Sequence, residues 1–320
     1  MIKAGIIGGA GYTAGELIRI LIYHPEVELD FVYSTSQPGK PVAGIHQDLL
    51  GETDLEFSGE INKNTDVVFL CLGHGNSVKF LAENQFSANT KIIDLSTDYR
   101  MDGEHEFVYG LPEFNKKKIK KANFIANPGC FATAISLAIL PLAKAGLLQN
   151  DVHINAVTGA TGAGTSLSAT THFTWRDNNF SSYKAFEHQH LNEIGQSLKK
   201  LQDNKLPELN FIPNRGNFSR GIHVTAYTKF DGSLEEAKAI FTEAYKDSAF
   251  TFLVEEALHL KQVVNTNKCL LKLQKFGDKI LITSIIDNLL KGASGQAVEN
   301  MNLMFGFEES LGLKLKANYF

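Results

Sequence analysis

The first 33 residues constrain the fold more tightly than any other stretch of the chain. A short apolar run at 3–7 meets Gly8-Gly9-Ala10-Gly11, a helical pattern follows over 13–23, and a second apolar run occupies 27–33. Strand, glycine turn, helix and strand in that order define a βαβ unit. Its glycines let the backbone come close to a pyrophosphate, and the helix N-terminus then supplies N–H donors. Gly8, Gly11 and Ala14 fit G-x-x-G-x-x-A, and Gly9, Gly11 and Ala14 fit G-x-G-x-x-A. An ordinary tight turn is the alternative reading of the same glycines.

Further apolar runs at 66–72, 91–95 and 123–126 alternate with helical stretches. This pattern predicts an α/β fold with a Rossmann-type, doubly wound parallel sheet over residues 1–147. The texture then changes. Runs at 152–157, 222–230, 269–276 and 279–286 are longer, several alternate apolar and polar residues, and a helical pattern at 234–245 lies among them. A second α+β domain over 148–291 follows from this. A helix within 292–320, over 293–305, is expected to return to the first domain.

The end of the second strand bears on the dinucleotide. An NAD site usually places Asp or Glu there for the ribose 2′-hydroxyl. Here the residues are Ser34-Thr35-Ser36 and then Lys40, and Asp30 comes too early. Hydroxyls and a cation suit a 2′-phosphate, which favours NADP.

Asn127-Pro128-Gly129-Cys130 carries the second chemical signal. It sets a cysteine at the start of an apolar helical run, where unpaired N–H groups and the positive end of the helix dipole favour the thiolate. The competing reading is a buried structural cysteine. A thiolate combined with a nicotinamide cofactor suggests reduction of an activated acyl group through a thioester. Such a site needs an acid/base, for which His188 and His190 stand in Glu187-His188-Gln189-His190. It also needs cations for substrate charges, with Arg100 and Arg220 as candidates. The glycines at 159, 162 and 164 read either as a place where backbone amides approach a substrate, with Gly162 the candidate, or as a flexible turn. The H-x-H pair lacks a third ligand, so no metal is expected.

Composition excludes several alternatives. A net charge of −4 calls for no nucleic-acid or membrane partner, and the lysines at 116–118, 120 and 121 read as a solvated helix face. Cys71, Cys130 and Cys269 form no CxxC pair, which argues against a disulfide scaffold or cysteine zinc site. No run reaches transmembrane length and no leader pattern opens the chain, so a cytoplasmic setting is expected.

Taken in order, these residues resemble the N-acetyl-gamma-glutamyl-phosphate reductases of arginine biosynthesis, within the aspartate-semialdehyde dehydrogenase group. The resemblance runs nearly end to end, through the segments 8–17, 94–100, 109–113, 127–130 with Thr133, 162–164, 188–190 with Glu193 and Ile194, 220–222, 286–292, 295–298 and 300–303. It implies NADPH-dependent reduction of an N-acyl-glutamyl 5-phosphate to the 5-semialdehyde with release of phosphate, by a homodimer or homotetramer. Cys130 becomes the nucleophile and His188 the acid/base, with His190 second in line and Asn127 orienting the carbonyl. Arg100 would hold phosphate and Arg220 the substrate carboxylate. Gly8, Gly11, Tyr12, Thr13, Ala14, Ser34, Ser36, Lys40 and Asn288 fall to the cofactor.

The chain departs from the family pattern at three places. Phe131-Ala132 stands for Tyr-Pro, Thr35 for an arginine, and Gln189 for an arginine. The lost cation at 189 raises a different acyl group, such as succinyl in place of acetyl. The aminoadipyl homologue of lysine synthesis, one methylene longer, and a non-enzymatic NADPH-binding regulator are the rival readings. The regulator would need neither an activated Cys130 nor His188.

Overall fold

The computed structural model describes residues 1–202 and 206–320. The chain forms two compact units, one of residues 1–128 and 293–314, the other of residues 129–292 and 315–320.

The first unit contains β1 (Ile2–Ile7), α1 (Tyr12–Leu21), β2 (Val27–Tyr33), β3 (Phe57–Ser58), β4 (Val67–Leu70), α2 (Ser77–Glu83), β5 (Lys91–Asp94), β6 (Val108–Tyr109), α3 (Pro112–Ile119) and β7 (Phe124–Ala126). Its seven strands are ordered β3-β2-β1-β4-β5-β7-β6, and every pair is parallel. The strand order reverses between β1 and β4, so the glycine turn after β1 opens at the switch point where such sheets bind ligands. β4 is buried at all four positions, as a strand covered on both faces must be. This is the doubly wound sheet expected from the alternation of runs.

The second unit starts with α4 (Cys130–Lys144), followed by β8 (Val152–Thr158), α5 (Phe173–Arg176), β9 (Ser181–Ser182), α6 (His190–Leu201), β10 (Leu209–Arg215), β11 (Ile222–Lys229), α7 (Leu234–Tyr245), β12 (Thr251–Leu253), β13 (Cys269–Phe276) and β14 (Lys279–Ile286). Its sheet is mixed, ordered β12-β13-β14-β11-β8-β10-β9. β11 pairs antiparallel with β8 and β14, whereas β10 runs parallel to β8. α4 lies against β11, β14, α6 and α7 and is buried from Phe131 to Ala143. A helix apolar all round belongs inside a core. Pro141 sits within it and cannot donate to the carbonyl four residues back. The Tyr245 hydroxyl takes that place, donating to Leu137 O at 2.5 Å.

The units divide at Pro128, whereas the sequence reading set the boundary near 147, because α4 packs on the mixed sheet. α8 (Ser294–Phe305) lies against α1 and α3 within the first unit. Residues 315–320 belong to the second, where Asn318 N donates to Val264 O at 3.0 Å.

Candidate active site

In the first unit the glycine turn is built for close approach. Gly8 has φ +83°, and a Cβ there would lie 2.7 Å from Cys71 O. Its N–H and that of Gly9 both donate to Tyr33 O, at 3.1 and 2.9 Å. Gly11 caps α1 with no side chain and no acidic residue in the first turn. A Cβ at Gly11 would meet only Gly8 O, at 4.0 Å, so the space over the helix N-terminus is open. A phosphate fits such a cradle. Tyr12 is exposed and Thr13 half-buried, and Ala14 is fully buried under the turn. His46, which sequence reasoning missed, buttresses the turn through Nε2 to Gly9 O at 2.8 Å.

At the end of β2, Ser34 Oγ lies 3.4 Å from Ser36 Oγ, and Lys40 is exposed nearby in the chain. Asp30 is engaged elsewhere, accepting from Asn62 Nδ2 at 2.6 Å. The Cys71 thiol is pushed up to about 12, first by burial, so it stays protonated and inert.

The motif at 94–100 works as a bracket. Asp98 accepts from the N–H groups of Gly75, Ser77 and Val78 ahead of and within α2, at 2.6, 2.9 and 3.2 Å. Arg100, 6% exposed, donates from Nε to Asn127 O at 2.8 Å and from Nη2 to Leu95 O at 2.9 Å. Asn127 is itself held on every side. Its N–H donates to Asp94 O at 2.8 Å, its Nδ2 to Ala293 O at 3.0 Å, and its Oδ1 accepts from Asn300 at 3.1 Å. Both residues thus fix the end of the chain that leads out of this unit.

In the second unit Cys130 is the first residue of α4, half-buried, behind Gly129 in extended conformation. The first turn of α4 carries no acidic residue of its own, and the helix end is positive at the sulfur. Two contacts set the turn. Glu193 Oε2 accepts the Gly129 N–H at 3.0 Å, and a Cβ on Gly129 would lie 2.3 Å from His190 Nε2. His190 Nε2 in turn lies 3.8 Å from Glu193 Oε1. The first turn of α6 therefore braces the first turn of α4. On another side, a Cβ on Gly292 would lie 2.8 Å from Cys130 Cβ.

His188 is buried, edge-on to Phe131 at 5.4 Å between ring centroids, and 4.5 Å from His190. Its pKa falls to about 4, mainly through burial and then through the Lys184 charge. The imidazole is neutral at neutral pH. Its Nδ1 accepts the His190 N–H at 3.2 Å, which places the ring proton on Nε2. His188 is thus an N–H donor in its resting state.

The remaining expected residues form a clamp behind the loop at 159–164. Asn288 donates from Nδ2 to Thr161 Oγ1 at 3.0 Å and accepts from Gly221 N at 2.7 Å. Gly159, where a Cβ would lie 2.4 Å from Ser219 O, is the close-approach glycine, whereas Gly162 is exposed. Arg220 pairs with buried Asp287 at 3.0 Å, and Asp287 also accepts from the N–H groups of Asn265, Leu289 and Leu290. Arg220 lines a cleft of about 490 Å³ with Val264, Asn265 and the C-terminal residues. Sequence reasoning also missed Tyr183, whose pKa is raised to about 12 by burial and next by the neighbouring Cys130 thiol. Tyr183 sits 5.8 Å from His188 between ring centroids, with the Arg215 guanidinium 4.7 Å over its ring. Both come from segments far from the cysteine in sequence.

A glycine cradle at the switch point of a parallel sheet, with a helix-end cysteine beside a buried histidine on a mixed-sheet unit, is the build of the semialdehyde dehydrogenases. Residues 3–122 match the semialdehyde dehydrogenase NAD-binding domain, and residues 130–288 match the semialdehyde dehydrogenase dimerisation domain. The chain belongs to the N-acetyl-gamma-glutamyl-phosphate reductase family within that group. It is 75% identical to the N-acetyl-gamma-glutamyl-phosphate reductase of Christiangramia forsetii and 62% identical to that of Flavobacterium johnsoniae, each over the full length of both chains. Among solved structures it is similar in fold to aspartate semialdehyde dehydrogenase II of Vibrio cholerae, at 15% identity and a TM-score of 0.73 over 96% of this chain and 98% of that one. The Candida albicans aspartate semialdehyde dehydrogenase solved with NADP gives 15% identity and a TM-score of 0.71 over 95% and 99%.

Proposed function

We propose that this chain reduces an N-acyl-γ-glutamyl phosphate, the N-acetyl compound by the name its relatives carry, to the 5-semialdehyde in arginine biosynthesis. The observation that carries the reading is the thiol at the start of α4, with its turn braced by Glu193 and His190 and a neutral His188 packed on the next residue.

The Cys130 sulfur attacks the acyl carbon, and the C–O bond to phosphate breaks with its electron pair leaving on phosphate. A thioester remains. The His188 Nε2–H serves as donor to the carbonyl oxygen as negative charge develops there. A neutral imidazole can act in this way when burial holds its pKa low. The turn at Gly8, Gly11 and Tyr12–Ala14 would hold the dinucleotide pyrophosphate. Ser34, Ser36 and Lys40, with no carboxylate at the end of β2, favour the 2′-phosphate of NADP over NAD. When bound, a nicotinamide cofactor supplies hydride. Collapse of the reduced adduct breaks the C–S bond, returns the thiolate and releases the semialdehyde.

His190 acts through Gly129, Asn127 and Arg100 through the chain end they fix, and Asn288 and Arg220 through the loops they hold. Direct contact of Arg100 with phosphate and of Asn288 with cofactor rests on the resemblance. The match of the second unit to a dimerisation domain supports a homo-oligomer, which sedimentation of the purified chain would size.

The test is the reverse reaction: NADP reduction with N-acetyl- or N-succinyl-glutamate 5-semialdehyde and phosphate, followed by the absorbance of reduced nicotinamide. Phosphate-dependent turnover that disappears on alkylation of Cys130 is the expected result. Turnover that needs no phosphate, or that survives alkylation, would remove the thioester route.

A further inference from the structure

Two arginines of the second unit stand close to the residues around the thiol. Arg176 closes α5 and is 8% exposed. Its Nη2 reaches Asn179 O only at 3.4 Å, and its Nε and Nη1 have no hydrogen-bond partner among the described residues. Arg215 ends β10, opposite Ser181 of β9, with its Nε likewise without a partner. Neither makes an ion pair with a carboxylate among the described residues. Each feels the other: Arg176 is held below its ordinary pKa first by burial and then by the Arg215 charge. Burying a guanidinium with unmet donors next to a second one is costly unless an anion completes the site.

We propose that Arg176 and Arg215, with Tyr183, form a subsite that holds a carboxylate of the substrate remote from the carbon that reacts. The transferred phosphate is bonded to the carbonyl under attack, so its contacts must lie at the thiol itself. The arginine pair is one ring removed: Tyr183 touches His188 at 5.8 Å and carries the Arg215 guanidinium at 4.7 Å. That spacing suits a charge further along the substrate. Planar guanidinium forks match a carboxylate in two-point geometry. Tyr183 and Arg215 are half-buried, so the pair is reachable from solvent. Arg220, by contrast, already has the buried Asp287 carboxylate. Two substrate carboxylates meet the description: the α-carboxylate of the glutamyl group, or a carboxylate on a dicarboxylic acyl group such as succinyl.

This inference rests on the proposed acyl-glutamyl substrate, and its test separates the two. Binding of N-acetylglutamate, its α-carboxamide and N-succinylglutamate to the NADP-loaded chain is measured by calorimetry, which needs no turnover. The variants are Arg176→Gln, Arg215→Gln and Arg215→Lys, with NADP affinity measured in each as the check on folding. Kd for the charged ligand rises on the order of ten- to a hundredfold in both glutamine variants. Arg215→Lys restores part of the loss, and NADP affinity holds. A loss that disappears with the α-carboxamide assigns the α-carboxylate, and a loss specific to N-succinylglutamate assigns the acyl group. Unchanged Kd values, or equal weakening of charged and uncharged ligands, would overturn the subsite. In the reverse assay a KM increase that exceeds the fall in kcat is the kinetic counterpart of the same loss, whereas an inactive parent chain counts against the proposed activity alone.

Discussion

His188 can assist acyl transfer without carrying charge in the working range. In an unfolded chain its imidazole titrates near 6.5, and in the fold at about 4. Between those values the unfolded state binds a proton that the folded state does not. The stability that depends on a neutral His188 is therefore complete above about pH 6.5, is lost as pH falls toward 4, and levels off below. His188→Gln should flatten that loss, read as the difference in urea midpoint between neutral and mildly acidic buffer. The same variant should lower kcat while leaving any kinetic limb near pH 6.5 unmoved; a limb there that vanished with His188 would contradict the donor role. The cysteines differ in the same local terms. Cys71 is held protonated by burial, and Cys269 is buried at the start of β13. Iodoacetamide should label Cys130 well ahead of both, as peptide mapping would report. Cys71 follows β4 and carries nothing in sequence that marks it inert, whereas Pro128-Gly129 ahead of an apolar helix marks Cys130. Arg176, Tyr183 and Arg215 were not legible, because only the pairing of β9 with β10 brings them together.

At the scale of elements, the two first turns of α4 and α6 form one device. Gly129→Ala places a methyl where the His190 ring stands, 2.3 Å from Nε2. The ring or the turn must shift, so kcat should fall by about tenfold or more, since small displacements at a reacting centre are amplified. Cofactor affinity, set in the other unit, should hold; parallel loss of both would mean general misfolding. α4 also depends on a bond outside itself. Removing the Tyr245 hydroxyl leaves Leu137 O buried without its donor, because Pro141 cannot supply one. Tyr245→Phe should cost about 1–3 kcal/mol in denaturant unfolding. The long strands were legible from alternation, as β11 buries every second residue. β10 was not, because Pro213 lies inside it and reads as a strand breaker. The short β3, β6 and β9 hold two residues each, too few to show a period.

For the whole molecule, the first unit is assembled from both ends of the chain. α8 is the piece that returns, and it is buried from Ser294 to Met304 even though Gln296, Glu299, Asn300 and Asn302 lie on it. A buried helix with that many polar groups is stable only if most of them are matched, and the Asn300 amide nitrogen and Asn302 find partners within the same unit. Asn300 Nδ2 donates to Gly110 O at 2.9 Å and to Asn127 Oδ1 at 3.1 Å, while Asn302 reaches Glu309 O and Leu311 O at 3.2 and 2.9 Å. Gly110 suits this packing, since a Cβ there would lie 2.5 Å from Ile125 Cγ2 and 2.6 Å from Asn300 Nδ2. Nothing in the sequence of this helix marks its polar residues as buried; in the fold Asn300 and Asn302 hold the far segments of the first unit together. Asn300→Leu should therefore destabilise by about 2–5 kcal/mol, because a similar volume is kept while two buried acceptors lose their donor. The effect belongs to the dinucleotide-binding unit, so saturating NADP should recover part of the lost melting temperature by mass action. An Asn300→Leu chain that melts as the parent does, with and without NADP, would show that α8 is held by its apolar contacts alone.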